Sequence, residues 1–224
     1  MKVLIACEES QTLCKAFREK GHEAYSCDII KCSGGHPEWH ILDDALMVIG
    51  GGTVKLQNGK WLTVDKWDMI IAHPPCIYLS HVNTAGHSLE KTPENRIIGN
   101  TLNRISGMDF FMRIITANCD RIAVENPVGI MNSAYRKPDQ IIEPYMFAES
   151  TDDKENYFTK RTCLWLKGLA PLKPNDIERP NNAELLGRFS KGKAKTWEDS
   201  LARGSIARSK TFPGIAKAMA EQWG

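Results

Sequence analysis

The chain has 224 residues, 42% hydrophobic and 25% charged, with 29 basic against 27 acidic side chains for a net charge of +2. That is ordinary for a globular protein and long enough for one well-buried domain. No run approaches the ~18 apolar residues of a membrane span, and MKVLIACEES turns acidic too early for a secretory signal, so a cytoplasmic protein without membrane association is expected.

Seven cysteines, odd in number and without a regular framework, read as reduced thiols. Lys2-Val3-Leu4-Ile5-Ala6-Cys7 is a buried-strand run that Glu8-Glu9-Ser10 breaks. From Gln11 to Lys20, Leu13, Cys14, Ala16 and Phe17 form a helical stripe, which Gly21 stops. Glu23 to Cys27 is a second strand ending in Asp28. Strand, helix and strand closed by an acid make a nucleotide-type βαβ unit in which the acid can hold ribose hydroxyls. A phosphate-cradling turn needs G-x-G-x-x-G, whereas this one reads A-C-E-E-S-Q. Two glutamates repel a pyrophosphate, so the expected ligand is a cationic adenosine compound without phosphates.

Cys27, Cys32, His36 and His40 have the spacing C-x4-C-x3-H-x3-H, which matches no standard structural finger, so no metal is expected. His40 to Leu46 resembles a third strand with an acidic end at Asp43-Asp44. A hairpin follows from Thr53 to Val64 around Asn58-Gly59, an excursion before the central strand.

That central stretch is Trp67 to Ser80, WDMIIAHPPCIYLS. The apolar Met69-Ile70-Ile71-Ala72 is cut off by His73-Pro74-Pro75, and Cys76 comes next. Such a run reads as a parallel strand entering a loop at its carboxyl end, where open α/β sheets bind ligands. Two successive prolines stiffen the loop that carries the thiol. His81 to Glu94 is polar and aperiodic, a loop expected over the site.

Arg96 to Ala117 is the longest helical pattern, with Ile97, Ile98, Leu102, Ile105, Met108, Phe111, Met112 and Ile115 spaced for a packed face. Arg121-Ile122-Ala123-Val124 is the next buried strand, and it ends in Glu125-Asn126-Pro127. Thr159 to Leu166, TKRTCLWL, alternates as a further strand would. Pro171 to Ser205 reads as a small irregular lobe, and Phe212-Pro213-Gly214 opens an amphipathic helix, Ile215 to Trp223. From Thr159 to Lys217 basic residues outnumber acids, a distribution that suits a phosphate backbone or, equally, a solvated surface.

PPC after one apolar strand, ENP after the next, an acid closing the second strand and the basic TKRTCLWL resemble, in that order, the DNA cytosine-5 methyltransferases. WDMIIAHPPCIYLS is similar to that family's central motif, VENPVG to its Glu-Asn-Val motif, and SKTFPGIAKAMAEQW to its last motif. The family's F-x-G-x-G loop corresponds to Ile5-Ala6-Cys7-Glu8-Glu9-Ser10, which has no glycine, and Cys163 stands where a second arginine of the Q-x-R-x-R strand is expected. The resemblance implies an α/β, doubly wound Rossmann-like sheet dependent on S-adenosyl-L-methionine, with a hairpin insertion at about residues 50–66 and a small irregular C-terminal lobe. It divides the chain into a catalytic core over 1–168, a reduced target-recognition lobe over 169–205 and a helix over 206–224 that returns to the core. DNA is the implied partner, and no obligate protein partner is evident.

By that resemblance Cys76 is the nucleophile that adds to C6 of cytosine, because C5 becomes nucleophilic only once the ring is an enamine. Glu125 would hydrogen-bond N3 and the exocyclic amine, and Arg161 would steady the base and lower the thiol pKa. Asp28 and Ile29 would hold the ribose side of the cofactor and Asp44 its adenine amine. Ala6, Cys7, Glu8 and Ser10 would lie near the methionine end, beside His73 and Pro74. Pro75, Ser80, Asn126 and Lys160 would face DNA, and the target base would be flipped from the stack. Two rival readings remain: an amino-methyltransferase, whose D/N-P-P-Y/F loop His73-Pro74-Pro75-Cys76 half matches, and a DNA-binding relative without cofactor or catalysis.

Overall fold

The computed structural model describes residues 1–80, 93–200 and 210–224. In chain order the strands are β1 (Lys2–Ala6), β2 (Glu23–Asp28), β3 (His40–Leu42), β4 (Gly52–Lys55), β5 (Trp61–Val64), β6 (Met69–Ala72), β7 (Ile122–Pro127), β8 (Gln140–Ile142) and β9 (Thr162–Lys167). The helices are α1 (Thr12–Glu19), α2 (Ala45–Val48), α3 (Glu94–Ile115), α4 (Met131–Ala134), α5 (Asn182–Leu185) and α6 (Pro213–Trp223).

Seven strands form one sheet in the order β3-β2-β1-β6-β7-β9-β8. It is parallel except for β9, which runs antiparallel to both its neighbours. From β1 the chain winds outward through β2 and β3, then returns to start the other half at β6. The fold is therefore a doubly wound, Rossmann-like α/β sheet whose switch point lies between β1 and β6. β4 and β5 pair only with each other, as the hairpin inserted before β6.

The two-residue period of the strands sorts their side chains into two cores. Leu4, Ala6, Ile70, Ala72 and Val124 join Phe111 and Ile114 of α3 on one face. Val3, Ile5, Met69 and Ala123 join Leu13 and Phe17 of α1 and Met219 and Trp223 of α6 on the other. Because β1 and β6 are covered on both faces, their sequences are apolar runs rather than alternating ones.

Several boundaries differ from expectation for identifiable reasons. β3 stops at Leu42, and Ala45-Leu46 belong to α2, since the Asp44 carboxylate accepts the Leu46 amide and caps that helix. β9 begins at Thr162, leaving Lys160 and Arg161 ahead of the strand. In α3 the expected packed face holds only toward the C-terminus: Ile98, Leu102 and Ile105 are 54%, 61% and 58% exposed, while Phe111, Ile114 and Ile115 are buried. The exposed half runs beside the loop after β6, where the Arg104 guanidinium donates to the Tyr78 carbonyl, so it meets a loop rather than the sheet. β8 and α4 were not anticipated, because three or four residues carry no measurable period. Between 171 and 200 the regular elements are α5 and a 3-10 turn at Trp197–Ser200. The expected loop over the site from His81 falls on 81–92, outside the described residues, as do 201–205 of the expected lobe and 206–209 ahead of the last helix. Among the described residues no helix is long and apolar enough to cross a membrane.

Candidate active site

Two loops at the carboxyl edge of the sheet, one after β1 and one after β6, shape the site, with the end of β7 beside them. After β1 the backbone turns sharply: Cys7 and Gln11 both have φ +60°. Left-handed geometry is where a glycine is ordinarily expected, and each non-glycine residue there costs ~1 to 3 kcal/mol. The turn thus keeps a glycine loop's shape without glycine. Glu8 supports it from inside, its buried carboxylate accepting the Leu13 amide at 2.6 Å and the Cys14 amide at 3.2 Å, two orphan donors at the start of α1. A carboxyl group already fills the helix N-terminus, which leaves no place there for a phosphate. Burial raises the Glu8 pKa against the lowering by His73 and by those two amides.

A cleft of about 230 Å³ is lined by Cys7, Glu8, Glu9, Ser10, Asp28, Ile30, His73, Pro75, Lys210 and Thr211. Asp28 closes β2 here, and its Oδ1 accepts the Ile30 amide at 3.2 Å. Burial raises its pKa, opposed by the Ile30 amide and by His40. Ile29 beside it is 76% exposed, an apolar surface next to an acid. Cys7 is an inert thiol, pushed up to about 12 by burial and by the charges of Asp28 and Asp44.

The loop after β6 is held from outside. His73 continues the sheet by donating its amide to the Ala6 carbonyl at 3.0 Å. Asn126 of β7, buried, donates from Nδ2 to the Pro74 carbonyl at 2.8 Å. A turn follows Cys76, whose carbonyl accepts the Leu79 and Ser80 amides at 3.0 and 2.9 Å, and Ser80 bridges to Gly129. The backbones approach so closely that a methyl group on Gly129 would overlap the Leu79 carbonyl. These struts leave the Cys76 residue exposed at the sheet edge.

Beside it, His73 Nδ1 and Glu125 Oε2 lie 3.0 Å apart, with side chains 9% and 23% exposed. His73, Glu125, Lys160, Thr162, Lys210, Thr211 and Phe212 line a narrow pocket. Burial favours an uncharged Glu125, but the hydrogen bond and charge of His73, the charge of Lys160 and the Thr162 hydroxyl outweigh it and hold the carboxyl low. Burial likewise opposes a charged His73, yet the bond to Glu125 and the charges of Glu125 and Glu8 raise its pKa. Both shifts favour the ion pair. Desolvation of the sulfur raises the Cys76 pKa, Glu125 adds to it and Lys160 opposes it, so the resting group is a thiol.

Cys76, Glu125, His73 and Lys160 form one electrostatically linked group, and Cys7, Glu8, Ser10, Asp28, His73 and Pro75 share the neighbouring cleft. Five of the expected site residues make other contacts. Arg161 is exposed and its charge reaches Cys163, whereas the charge of Lys160 reaches Glu125 and Cys76. Asn126 is 2% exposed and braces Pro74, so it positions the loop and has no surface for DNA. Pro74 is itself buried under that bond. Asp44 uses its carboxylate to cap α2, outside the residues lining the cleft. Ala6 is fully buried, and its carbonyl is taken by His73. The Cys27, Cys32, His36 and His40 side chains do not converge: Cys27 donates to the Asp43 carbonyl, His36 pairs with Glu38, and His40 bonds Ser26 and the Ile30 carbonyl. No cluster of metal-binding side chains occurs among the described residues.

Thr162, Lys210, Thr211 and Phe212 also line the site and carried no role in the sequence reading. The motif SKTFPG pointed to the segment, but only chain reversal into α6 brings it against His73. Lys160 lies 5.2 Å from the Trp197 ring and 5.7 Å from that of Phe212, a cation held against aromatic faces.

No family model and no curated protein matches the chain. Among solved structures 42 chains match. One is a protein described as a candidate DNA modification methyltransferase encoded within a prophage of E. coli. It is similar at 14% identity and a TM-score of 0.44, over 84% of this chain and 55% of that one, so the chain spans about half the length of that neighbour.

Proposed function

We propose that the protein is an S-adenosyl-L-methionine-dependent DNA methyltransferase acting at C5 of cytosine through a covalent Cys76 adduct. The observation that carries the reading is a cysteine residue exposed beyond β6 whose partly desolvated sulfur lies within the charge field of a carboxylate at the end of the adjacent β7 and of Lys160. The motif resemblance supplies the chemistry such a pair performs.

The cleft's donor set fits the cofactor. A carboxylate caps α1 where a phosphate would otherwise sit, acids at Glu8, Glu9 and Asp28 suit a cation, and Ile29 is an apolar face beside a ribose-binding acid. Bound there, the cofactor supplies an electrophilic methyl group. Asp28 would accept from ribose hydroxyls, Ile29 and Ile30 would flank adenine, and the backbone of Cys7 to Ser10 would surround the methionine end. Glu125 would bind N3 and the 4-amino group of a flipped cytosine, and Lys160 would favour the Cys76 thiolate. Arg188, Lys191 and Lys193 are exposed around an irregular turn that also presents Phe189, 43% exposed, a surface suited to phosphates and a base face.

Bisulfite sequencing of DNA from cells expressing the protein tests the reaction, and an oligonucleotide carrying 5-fluorocytosine tests the mechanism. Intact-mass spectra should show a protein-DNA adduct with wild type and none with Cys76→Ser. Methylation that survives Cys76→Ser would overturn the C5 mechanism and point to an exocyclic nitrogen.

A further inference from the structure

His73 sits between the two halves of the site, lining both the cleft of Asp28 and the pocket of Glu125. Its ring is fixed by one contact, Nδ1 to Glu125 Oε2 at 3.0 Å, while Nε2 is buried with no partner among the described residues. Histidine at this position follows the strand directly, so its backbone is set by the sheet through the hydrogen bond from its amide to the Ala6 carbonyl. The charged groups around it come from every neighbouring element: Glu8 after β1, Glu125 of β7, Lys160 ahead of β9 and Lys210 ahead of α6, with the Cys76 thiol on its own loop. Two carboxylates against a histidine buried to this degree favour keeping a proton on the ring.

From this geometry we infer that His73 is the proton store for Glu125, and that the proton reaching N3 of the target cytosine comes from His73 Nδ1 through the Glu125 carboxylate. The inference rests on the cytosine-C5 reading and adds a residue to it. The step balances as follows. The Cys76 thiol gives its proton to water, and the thiolate sulfur forms a bond to C6. The C5–C6 π bond opens toward C4 and N3, N3 takes a proton from Glu125, and Glu125 takes the Nδ1 proton, leaving His73 neutral. In the reversal without cofactor the sulfur departs with its electron pair, the C5–C6 π bond re-forms and the N3 proton returns through Glu125 to Nδ1; once C5 carries a methyl group, release of the sulfur also requires the C5 proton to pass to water. A resting carboxylate paired with an imidazolium is the state that such a relay starts from, and the shifts of both groups run in that direction.

His73→Asn separates the relay from simple positioning, because its amide N–H can still donate to Glu125 but cannot release a proton. The probe is an oligonucleotide carrying 2-pyrimidinone in place of cytosine, which keeps N3 and C6 and forms a thiol adduct without cofactor. With wild type the adduct rate should rise with pH as the thiol ionises and stop rising above the His73 pKa, where each gain in thiolate is cancelled by loss of the ring proton. In His73→Asn it should be roughly 100-fold slower at neutral pH and keep rising with pH until the thiol is fully ionised. A His73→Asn protein whose rate and pH profile match wild type would overturn the relay while leaving the cytosine reading intact. A wild type that forms no adduct at any pH would overturn both. Independently of reaction, nitrogen-15 spectra of the histidine rings, with His73 assigned by its loss in His73→Asn, should show His73 protonated at neutral pH and deprotonating at lower pH in Glu125→Gln. A neutral His73 ring at neutral pH in wild type would also overturn the proposal.

Discussion

The turn after β1 and the loop after β6 lie side by side on the same sheet edge, and they are stabilised in different ways. The first combines near and distant support: two residues at φ +60° and the Glu8 carboxylate on the α1 amides lie within eight residues of sequence, while the segment after β2 closes on them through the Ser33 amide to the Glu9 carbonyl and the His36 amide to Gln11 Oε1. The second is supported from without, by Asn126 on Pro74, Gly129 against Leu79 and Arg104 on Tyr78, residues 26 to 52 positions away. An externally strutted loop keeps a reactive side chain exposed and in register with a partner on another strand, which is what a nucleophile beside Glu125 requires.

The largest way to break that contrast is Gly129→Ala. The new methyl group meets backbone rather than a side chain that can yield, so a loss of about 3 kcal/mol in urea unfolding is expected, together with loss of Cys76 adduct formation. Stability unchanged within error would mean that Gly129 does not brace the loop. Next in size, Glu8→Ala should cost about 2 to 3 kcal/mol by removing two charge-assisted hydrogen bonds at the α1 terminus. Because that support is local, the Cys76 thiol should react with iodoacetamide at the wild-type rate; a large change would show that the two loops are coupled.

A sharper test concerns the two neighbouring cations. Lys160→Met should slow 5-fluorocytosine adduct formation about tenfold, equivalent to ~1.4 kcal/mol, and Arg161→Met should leave it nearly unchanged. The reverse result would restore Arg161 to the site. The smallest effect is expected at Cys7→Gly, where lost side-chain contacts are offset by relief of left-handed strain, for a net change within about 1 kcal/mol. A substantially larger loss of melting temperature would mean that the Cys7 side chain, rather than its backbone, shapes the turn.

The comparison also marks how far the site could be read in one dimension. The β1 turn was almost fully legible, since its parts are contiguous and the clash of Glu8-Glu9 with a pyrophosphate is a property of the sequence itself. The absence of glycine says nothing of the turn's shape, however, and only backbone angles reveal that Cys7 and Gln11 adopt the glycine-like geometry. At the β6 loop the thiol, the prolines and the Glu125-Asn126 pair were visible as motifs, but their division of labour was not. Asn126 looked like a ligand contact and is a strut. Lys160 and Arg161 lie ahead of β9, outside the alternating run, so the run gives no guide to which of the two cations acts on Glu125.

Sequence alone determined the layered α/β architecture, because apolar runs four to six residues long interleaved with helical periods bury themselves in few ways, and it determined which strand ends carry the thiol and the carboxylate. Tertiary structure alone decided that His73 stands against Glu125, which is 52 positions away, and that the segment before α6 closes over both. Those are contacts between strands adjacent only in the folded sheet, and no local period encodes the register that brings a histidine ring within hydrogen-bond reach of a particular carboxylate.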